Sequence, residues 1–225
     1  MATLPFQDRS QAGRLLAAEL ASRHLGPKTI VLALPRGGVE VGAAVAEALK
    51  VPLDVIVVRK LGVPWQPELA MGALAGDTCI LDHPLIAGLE ISRQQIDAVI
   101  AREAREMERR ETLYRGGLPP PSLGGRTVVL VDDGLATGST MLAAVRHVRA
   151  MQPQKLIVAV PVGSPQACSH LGKEADECIC LALPEPFVAV GAWYRDFRQV
   201  TDAEVGQILK RYRITVAAST TEPRS

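Results

Sequence analysis

Short apolar runs alternating with helical patterns constrain this chain more than any other feature. Thr29 to Leu34 (TIVLAL), Leu53 to Val58 (LDVIVV), Thr127 to Val131 (TVVLV), Leu156 to Val160 and Glu177 to Leu183 are short, rich in β-branched residues and bounded by turn signals. They are apolar on both faces, so neither face can look at water. Strands of that kind sit in a parallel sheet covered on both sides by helices. Behind the first run, the turn Pro35-Arg36-Gly37-Gly38 opens a small-residue helix, Val39 to Lys50, and behind TVVLV a second small-residue turn opens another helix. The predicted class is α/β, with about five parallel strands flanked by helices.

Three further segments complete the plan. Asp8 to about Leu25 carries Ala12, Leu15, Leu16 and Leu20 at helical spacing after a good N-cap residue, and Gly26-Pro27 stops it. Ser92 to Tyr114 reads as an inserted helix whose stripe Ile96, Ile100, Met107 and Tyr114 also holds Glu103 and Arg110. Those two are expected to be a partly solvated pair two turns apart; facing an interface or the site is the alternative. Arg59 to Asp77 (RKLGVPWQPELAMGALAGD) is rich in Gly and Pro and is expected to be a flexible functional loop or lid. A single domain over residues 1–213 is expected, with a small hood built from the N-terminus and residues 184–213, and a disordered tail over 214–225.

Charge and composition exclude several classes. Lys+Arg 25 against Asp+Glu 24 leaves a net +1 and a pI near 7.7, without the basic excess that binding a phosphate backbone leaves, so no nucleic-acid partner is expected. The longest uncharged run, Leu156 to Gly172, is broken by Pro161 and Pro165, which argues against a membrane span. The opening MATLPFQDRS has no apolar core of a secretory signal, so a cytoplasmic location is expected. Cys79, Cys168, Cys178 and Cys180 are expected to be reduced, and Cys178 and Cys180 lack the CxxC spacing of a metal knuckle.

The chemistry is concentrated in Val128 to Thr140, VVLVDDGLATGST. Where a parallel strand ends and a helix begins, the first backbone N–H groups of the helix are free. Ala136, Thr137, Gly138, Ser139 and Thr140 therefore form an anion cradle, with three hydroxyls as added donors. Asp132 and Asp133 repel phosphate, but they accept hydrogen bonds from adjacent hydroxyls, as on a ribose, or hold Mg²⁺ through water. The glycine spacing is too short for a P-loop and its Lys is absent, so an ATPase is not expected.

This stretch resembles the 5-phosphoribosyl-1-pyrophosphate (PRPP) motif of type I phosphoribosyltransferases. The resemblance implies the type I phosphoribosyltransferase fold, with Asp132 and Asp133 on the ribose hydroxyls and, through water, on Mg²⁺. It places Ala136 to Thr140 around the 5′-phosphate and counts Gly134 among the substrate-binding residues. Leu34 to Gly38 (LPRGG) stands where that family binds pyrophosphate, with Arg36 supplying charge and Gly37 and Gly38 allowing close backbone approach. Arg59 to Asp77 stands where the family carries a mobile loop, which makes Arg59 and Lys60 the cations on the leaving group. The order of LPRGG, VRKLGVPWQPELAMGALAGD, VDDGLATGST and PEPFVAVGAWYRDF resembles a bacterial branch of predicted phosphoribosyltransferases.

At the acceptor end, Phe187-Val188 resembles the pair that stacks on a purine, and Asp196 resembles the acid that follows. Enzymes for 6-oxopurines place an acid two residues beyond the position of Gly134 and a Lys shortly before the Phe-Val pair. This chain has Ala136 and no Lys between Lys173 and Phe187. The resemblance thus implies a transferase of nucleotide metabolism that uses PRPP, Mg²⁺ and a nitrogen nucleophile of nucleobase type, and the departures at Ala136 and before Phe187 make 6-oxopurines the poorer acceptors; a homodimer is compatible with it. Two rivals remain: a PRPP-sensing regulatory or RNA-binding protein without turnover, and a hydrolase of a phosphoribosyl compound.

Overall fold

The computed structural model describes residues 3–219, with side chains to residue 212. Its centre is a five-stranded parallel sheet. In chain order the strands are β1 (Thr29–Ala33) and β2 (Leu53–Val55), then, after an antiparallel excursion, β6 (Thr127–Val131), β7 (Lys155–Val162) and β8 (Glu177–Ala182). Their spatial order is β2-β1-β6-β7-β8, so β6 is central, with Ala33 opposite Val131 and Val131 opposite Ala159 at its end.

Alternation along the strands builds two cores. Val31, Ala33, Val129, Val131, Ile157 and Ala159 face one layer, formed by α1 (Arg9–Ala21), α2 (Gly37–Leu49) and the helices placed later in the chain as α4 (Arg93–Arg115) and α7 (Asp202–Ser219). Ile30, Leu32, Val128, Leu130, Leu156 and Val158 face the other, formed by α5 (Ser139–Ala150) and α6 (Pro165–Leu171). Burial on both faces is the reason these strands contain no polar alternation. The α1 helix starts on Asp8, whose carboxylate accepts from the Gln11 N–H at 2.7 Å, and α4 starts on a Ser92–Gln95 capping box.

The segment expected to be a loop, residues 59–77, is instead mostly β-structure. Strands β3 (Val58–Val63), β4 (Gln66–Ala75) and β5 (Thr78–Leu81) form an antiparallel sheet, followed by the short α3 (His83–Gly88). Gly62 and Gly72 sit where a Cβ would meet the backbone of Pro67 and of Ile80, so the glycines that suggested mobility instead allow strands to approach. The LDVIVV run is divided at Ile56 between β2 and β3, which leave in different sheets.

Two other expectations are corrected. The C-terminal helix continues to Ser219, so the tail expected from Ile214 is helical over its first part, and residues 220–225 lie outside the described residues. Cys168 on α6 and Cys180 on β8 form a disulfide, while Cys79 and Cys178 are free. The pairing depends on α6 folding back over the edge strand: a Cβ at Gly163 would stand 2.5 Å from Cys168 Sγ. Sequence spacing holds no trace of that approach. Among the described residues no helix is long and apolar enough to cross a membrane.

Candidate active site

The C-terminal end of β6 delivers Asp132 and Asp133, and a few residues later Gly138 (φ +79°) turns the chain into α5. An L-side chain is disfavoured at that φ, which gives this glycine its place in the turn. Helix α5 begins at Ser139, a short turn after the two carboxylates, and the Thr137 and Ser139 hydroxyls stand 3.3 Å apart at its N-terminus. Free N–H groups and hydroxyls so arranged suit a phosphate monoester. Gly134, expected among the substrate-binding residues, is buried, and a Cβ there would lie 2.6 Å from Val190 Cγ1.

The two carboxylates are not equivalent. Asp132 Oδ1 accepts from the Asp133 N–H at 2.8 Å, whereas Asp133 Oδ2 accepts from Arg9 Nε at 2.8 Å. Burial, and next the charge of Asp133, hold the Asp132 carboxyl well above the usual carboxylate range. Burial also raises Asp133, against the pull of the Arg9 guanidinium. The Tyr194 hydroxyl donates to the Asp133 carbonyl at 2.6 Å, tying the hood to the strand end. That hood is the cluster of Phe6, Tyr194, Phe187, Val190 and Trp193, closed by a bridge between Phe6 and Tyr194. Once ionised, this carboxylate pair, with no cation within 4.0 Å of Asp132 among the described residues, fits a hard divalent cation such as Mg²⁺ held through water.

The LPRGG loop lies against the diacid. Its Pro35–Arg36 peptide is cis, and Arg36 forms the N-cap of α2, with Nη1 4.0 Å from Asp202 Oδ1. A Cβ on Gly37 would collide with Asp133 Oδ2, and one on Gly38 would stand 2.9 Å from Asp132 Cα. The close approach made by these glycines is thus to the diacid itself.

Strand alternation separates the two expected cations of β3. Arg59 turns to α4, where Nε and Nη2 donate to Glu103 Oε2 at 2.9 and 2.7 Å; Arg102 completes the shell of Glu103 at 3.0 Å. The expected Glu103–Arg110 pair is not formed, since Arg110 binds Glu106 at 2.7 Å. Lys60, opposite Ala73, lies on the other face, the one whose Ala73 and Ala75 pack on Ala143 of α5. It is exposed, and among the described residues no carboxylate lies within 4.0 Å of it.

A cleft of about 1010 Å³ connects the cradle to the hood, lined by Ala136 and Thr137, by Ser164, Gln166 and His170 around α6, and by Glu185, Phe187 and Val188. Phe187 is half-buried, with its ring 6.3 Å from that of Trp193, and Val188 is 79% exposed. Asp196 is not in this cleft. It accepts from the Arg198 N–H at 3.1 Å and lines a separate groove with Arg9, Arg14 and Glu40. The carboxylate on the cleft is Glu185.

Sequence reasoning missed Arg9 and Glu185. Arg9 had a signal: it continues the stripe of Ala12, Leu16 and Leu20, and a cation on a buried stripe requires a partner. Glu185 had none beyond its nearness to Phe187.

Residues 8–192 match the family model for the phosphoribosyl transferase domain. Two Mycobacterium tuberculosis proteins, from strains H37Rv and CDC 1551, carry the names "Putative phosphoribosyl transferase Rv0571c" and "Putative phosphoribosyl transferase MT0597". Each is 45% identical over 207 residues, covering 92% of this chain and 46% of its own length. The chain therefore spans less than half of these curated relatives. The crystal structure of TT1426 from Thermus thermophilus superposes with a TM-score of 0.79 at 42% identity, covering 93% of this chain and 99% of that one.

Proposed function

The chain belongs to the phosphoribosyl transferase domain family, and from that premise we propose that it binds PRPP with Mg²⁺ and transfers the phosphoribosyl group to a nitrogen nucleophile. The reading is carried by one juxtaposition: a carboxylate pair at the end of β6, a short turn before the N-terminus of α5. The cradle of Ala136 to Thr140 takes the 5′-phosphate, and Asp132 and Asp133 take the ribose hydroxyls. Arg36 and Lys60 face the pyrophosphate. Arg59 acts on the site indirectly, by fixing the β3–β4 hairpin to α4 through Glu103.

Asp132 and Asp133 would hold the Mg²⁺, which when bound offsets charge on the pyrophosphate. As the bond from C1 to the pyrophosphate oxygen breaks and the bond to nitrogen forms, positive charge develops on the ribose. Phe187 offers the acceptor a stacking face, and Glu185 is the carboxylate available for the proton the nitrogen gives up. With Ala136 on the phosphate loop, 6-oxopurines lack the acid their enzymes use there, so adenine-like bases or other amines are the better acceptors.

The test is a pyrophosphate-release assay with PRPP and Mg²⁺ over guanine, hypoxanthine, adenine, orotate and small amines at matched concentration. Release that depends on an adenine-like or amine acceptor supports the reading. Efficient turnover of guanine or hypoxanthine refutes the acceptor assignment, and release without any acceptor means hydrolysis. Binding of PRPP with no release under any condition means a regulatory protein.

A further inference from the structure

We propose that Arg9 is a positioning residue for the proposed PRPP site: through Asp133 it fixes how a carboxylate of the pair is aimed at the ribose. This rests on the reading that the diacid binds a ribose diol. Arg9 is the first residue of α1 and only 5% exposed. Its Nε donates to Asp133 Oδ2 at 2.8 Å, its Nη1 donates to the Arg198 carbonyl at 2.8 Å, and its guanidinium stacks on the Phe197 ring at 3.9 Å. Glu40 Oε2, 3.7 Å from Nη1, is the second carboxylate near it. A planar cation held on two edges and one face has little rotational freedom, so the carboxylate bound to it has little either.

The pair is held asymmetrically. Asp132 is oriented by a local contact, the N–H of the next residue, whereas Asp133 is oriented by a side chain 124 residues away. Apart from its own backbone N–H, Arg9 is the one group that hydrogen-bonds the Asp133 carboxylate among the described residues: the Tyr194 hydroxyl binds its backbone carbonyl, and Gly37 packs against it without a polar side chain. Oδ2 is occupied by Nε, which leaves the lone pairs of Oδ1 for a ribose hydroxyl. Arg9 on α1 thus links the Asp133 carboxylate to the Arg198 carbonyl and the Phe197 ring, beside the separate tie of the Tyr194 hydroxyl to the Asp133 backbone carbonyl.

The test compares wild type, R9Q, R9K, D133N and R9Q/D133N by calorimetry at one neutral pH, with ribose 5-phosphate plus Mg²⁺ and with inorganic phosphate. Wild type that binds phosphate but not ribose 5-phosphate refutes the PRPP reading itself. Given wild-type binding of both, R9Q should weaken ribose 5-phosphate by about tenfold or more. Phosphate affinity should stay within about twofold, and this retained cradle shows that the variant is folded. R9K keeps the charge and loses the planar fork, so it should recover only part of the loss. In D133N, adding R9Q should change little, because the carboxylate that Arg9 aims is already gone. Four results would each overturn the proposal: wild-type ribose 5-phosphate affinity in R9Q, full recovery in R9K, equal loss of phosphate and ribose 5-phosphate in both Arg9 variants, or additive losses in the double variant.

Discussion

Alanine at Gly37 and alanine at Gly38 should fail in different ways, although the residues are neighbours in one loop. The added Cβ at Gly37 falls on Asp133 Oδ2 and 2.8 Å from Arg9 Nε, both of them side-chain ends. The carboxylate can swing aside, and in doing so it gives up its charge-assisted bond to Arg9. Such a bond is worth about 1.5–3 kcal/mol. Water recovers part of this, because the Asp133 side chain is 16% exposed. Alanine also gains up to roughly 1 kcal/mol over glycine in a helix. The net stability change of G37A should therefore stay under about 1 kcal/mol, or roughly 2–4 °C in Tm for a chain of this size. Ribose 5-phosphate affinity, which needs the carboxylate in place, should fall by roughly tenfold or more.

At Gly38 the Cβ meets backbone as well as a side chain, 2.9 Å from Asp132 Cα, 2.9 Å from Asp132 Oδ1 and 3.0 Å from the Val131 carbonyl. The backbone atoms end β6, which is paired on both edges, by β1 and β7, and cannot retreat. Helix α2 must lift, an overpacking cost of about 1–3 kcal/mol, and Tm should drop by roughly 3–10 °C. Thermal and denaturant unfolding together with calorimetry of ribose 5-phosphate and Mg²⁺ separate the two. G37A with wild-type affinity would show that Gly37 does not protect the position of Asp133. G38A with unchanged Tm would show that the loop is free to shift.

Other outcomes follow from the same contacts. R59A should destabilise the fold by about 1–3 kcal/mol by denaturant unfolding, because Glu103 keeps only Arg102. K60A should leave stability within about 0.5 kcal/mol and lower pyrophosphate release, and a similar stability loss in both would refute the division between the faces of β3. Asp132 titrates in the unfolded chain at about pH 3.9 and higher when folded. The stability contributed by its proton is complete below about pH 4 and is lost as pH rises through the raised value. The ligand-free D132N variant should therefore gain on wild type progressively above pH 4 and match it below; a pH-independent difference would contradict the burial argument. Reduction of Cys168–Cys180 should cost stability, by at most about 3 kcal/mol on loop-closure grounds, and C168S should reproduce the effect in denaturant unfolding without reductant.

The sequence by itself determined the layers. Val31, Val129 and Ile157 face one helical layer and Ile30, Val128 and Leu156 the other, and a sheet covered on both faces is what buries both sets, as parallel sheets are. It also determined the cradle, because VVLVDDGLATGST carries strand, carboxylates and helix start within one local stretch, and local geometry follows from local sequence. The tertiary structure decided everything that depends on two distant segments meeting. Glycines and prolines in residues 59–77 read as flexibility, yet Gly62 and Gly72 serve close strand approach once β4 and β5 lie beside them. Arg59 looked like a substrate contact until α4 placed Glu103 against it, 44 residues away. Arg9 meets Asp133 across 124 residues and Cys168 meets Cys180 around a fold-back of α6, pairings to which periodicity is blind. Periodicity reports which face of an element is buried. It does not report against what, and a buried charge takes its chemistry from whatever the fold brings to it.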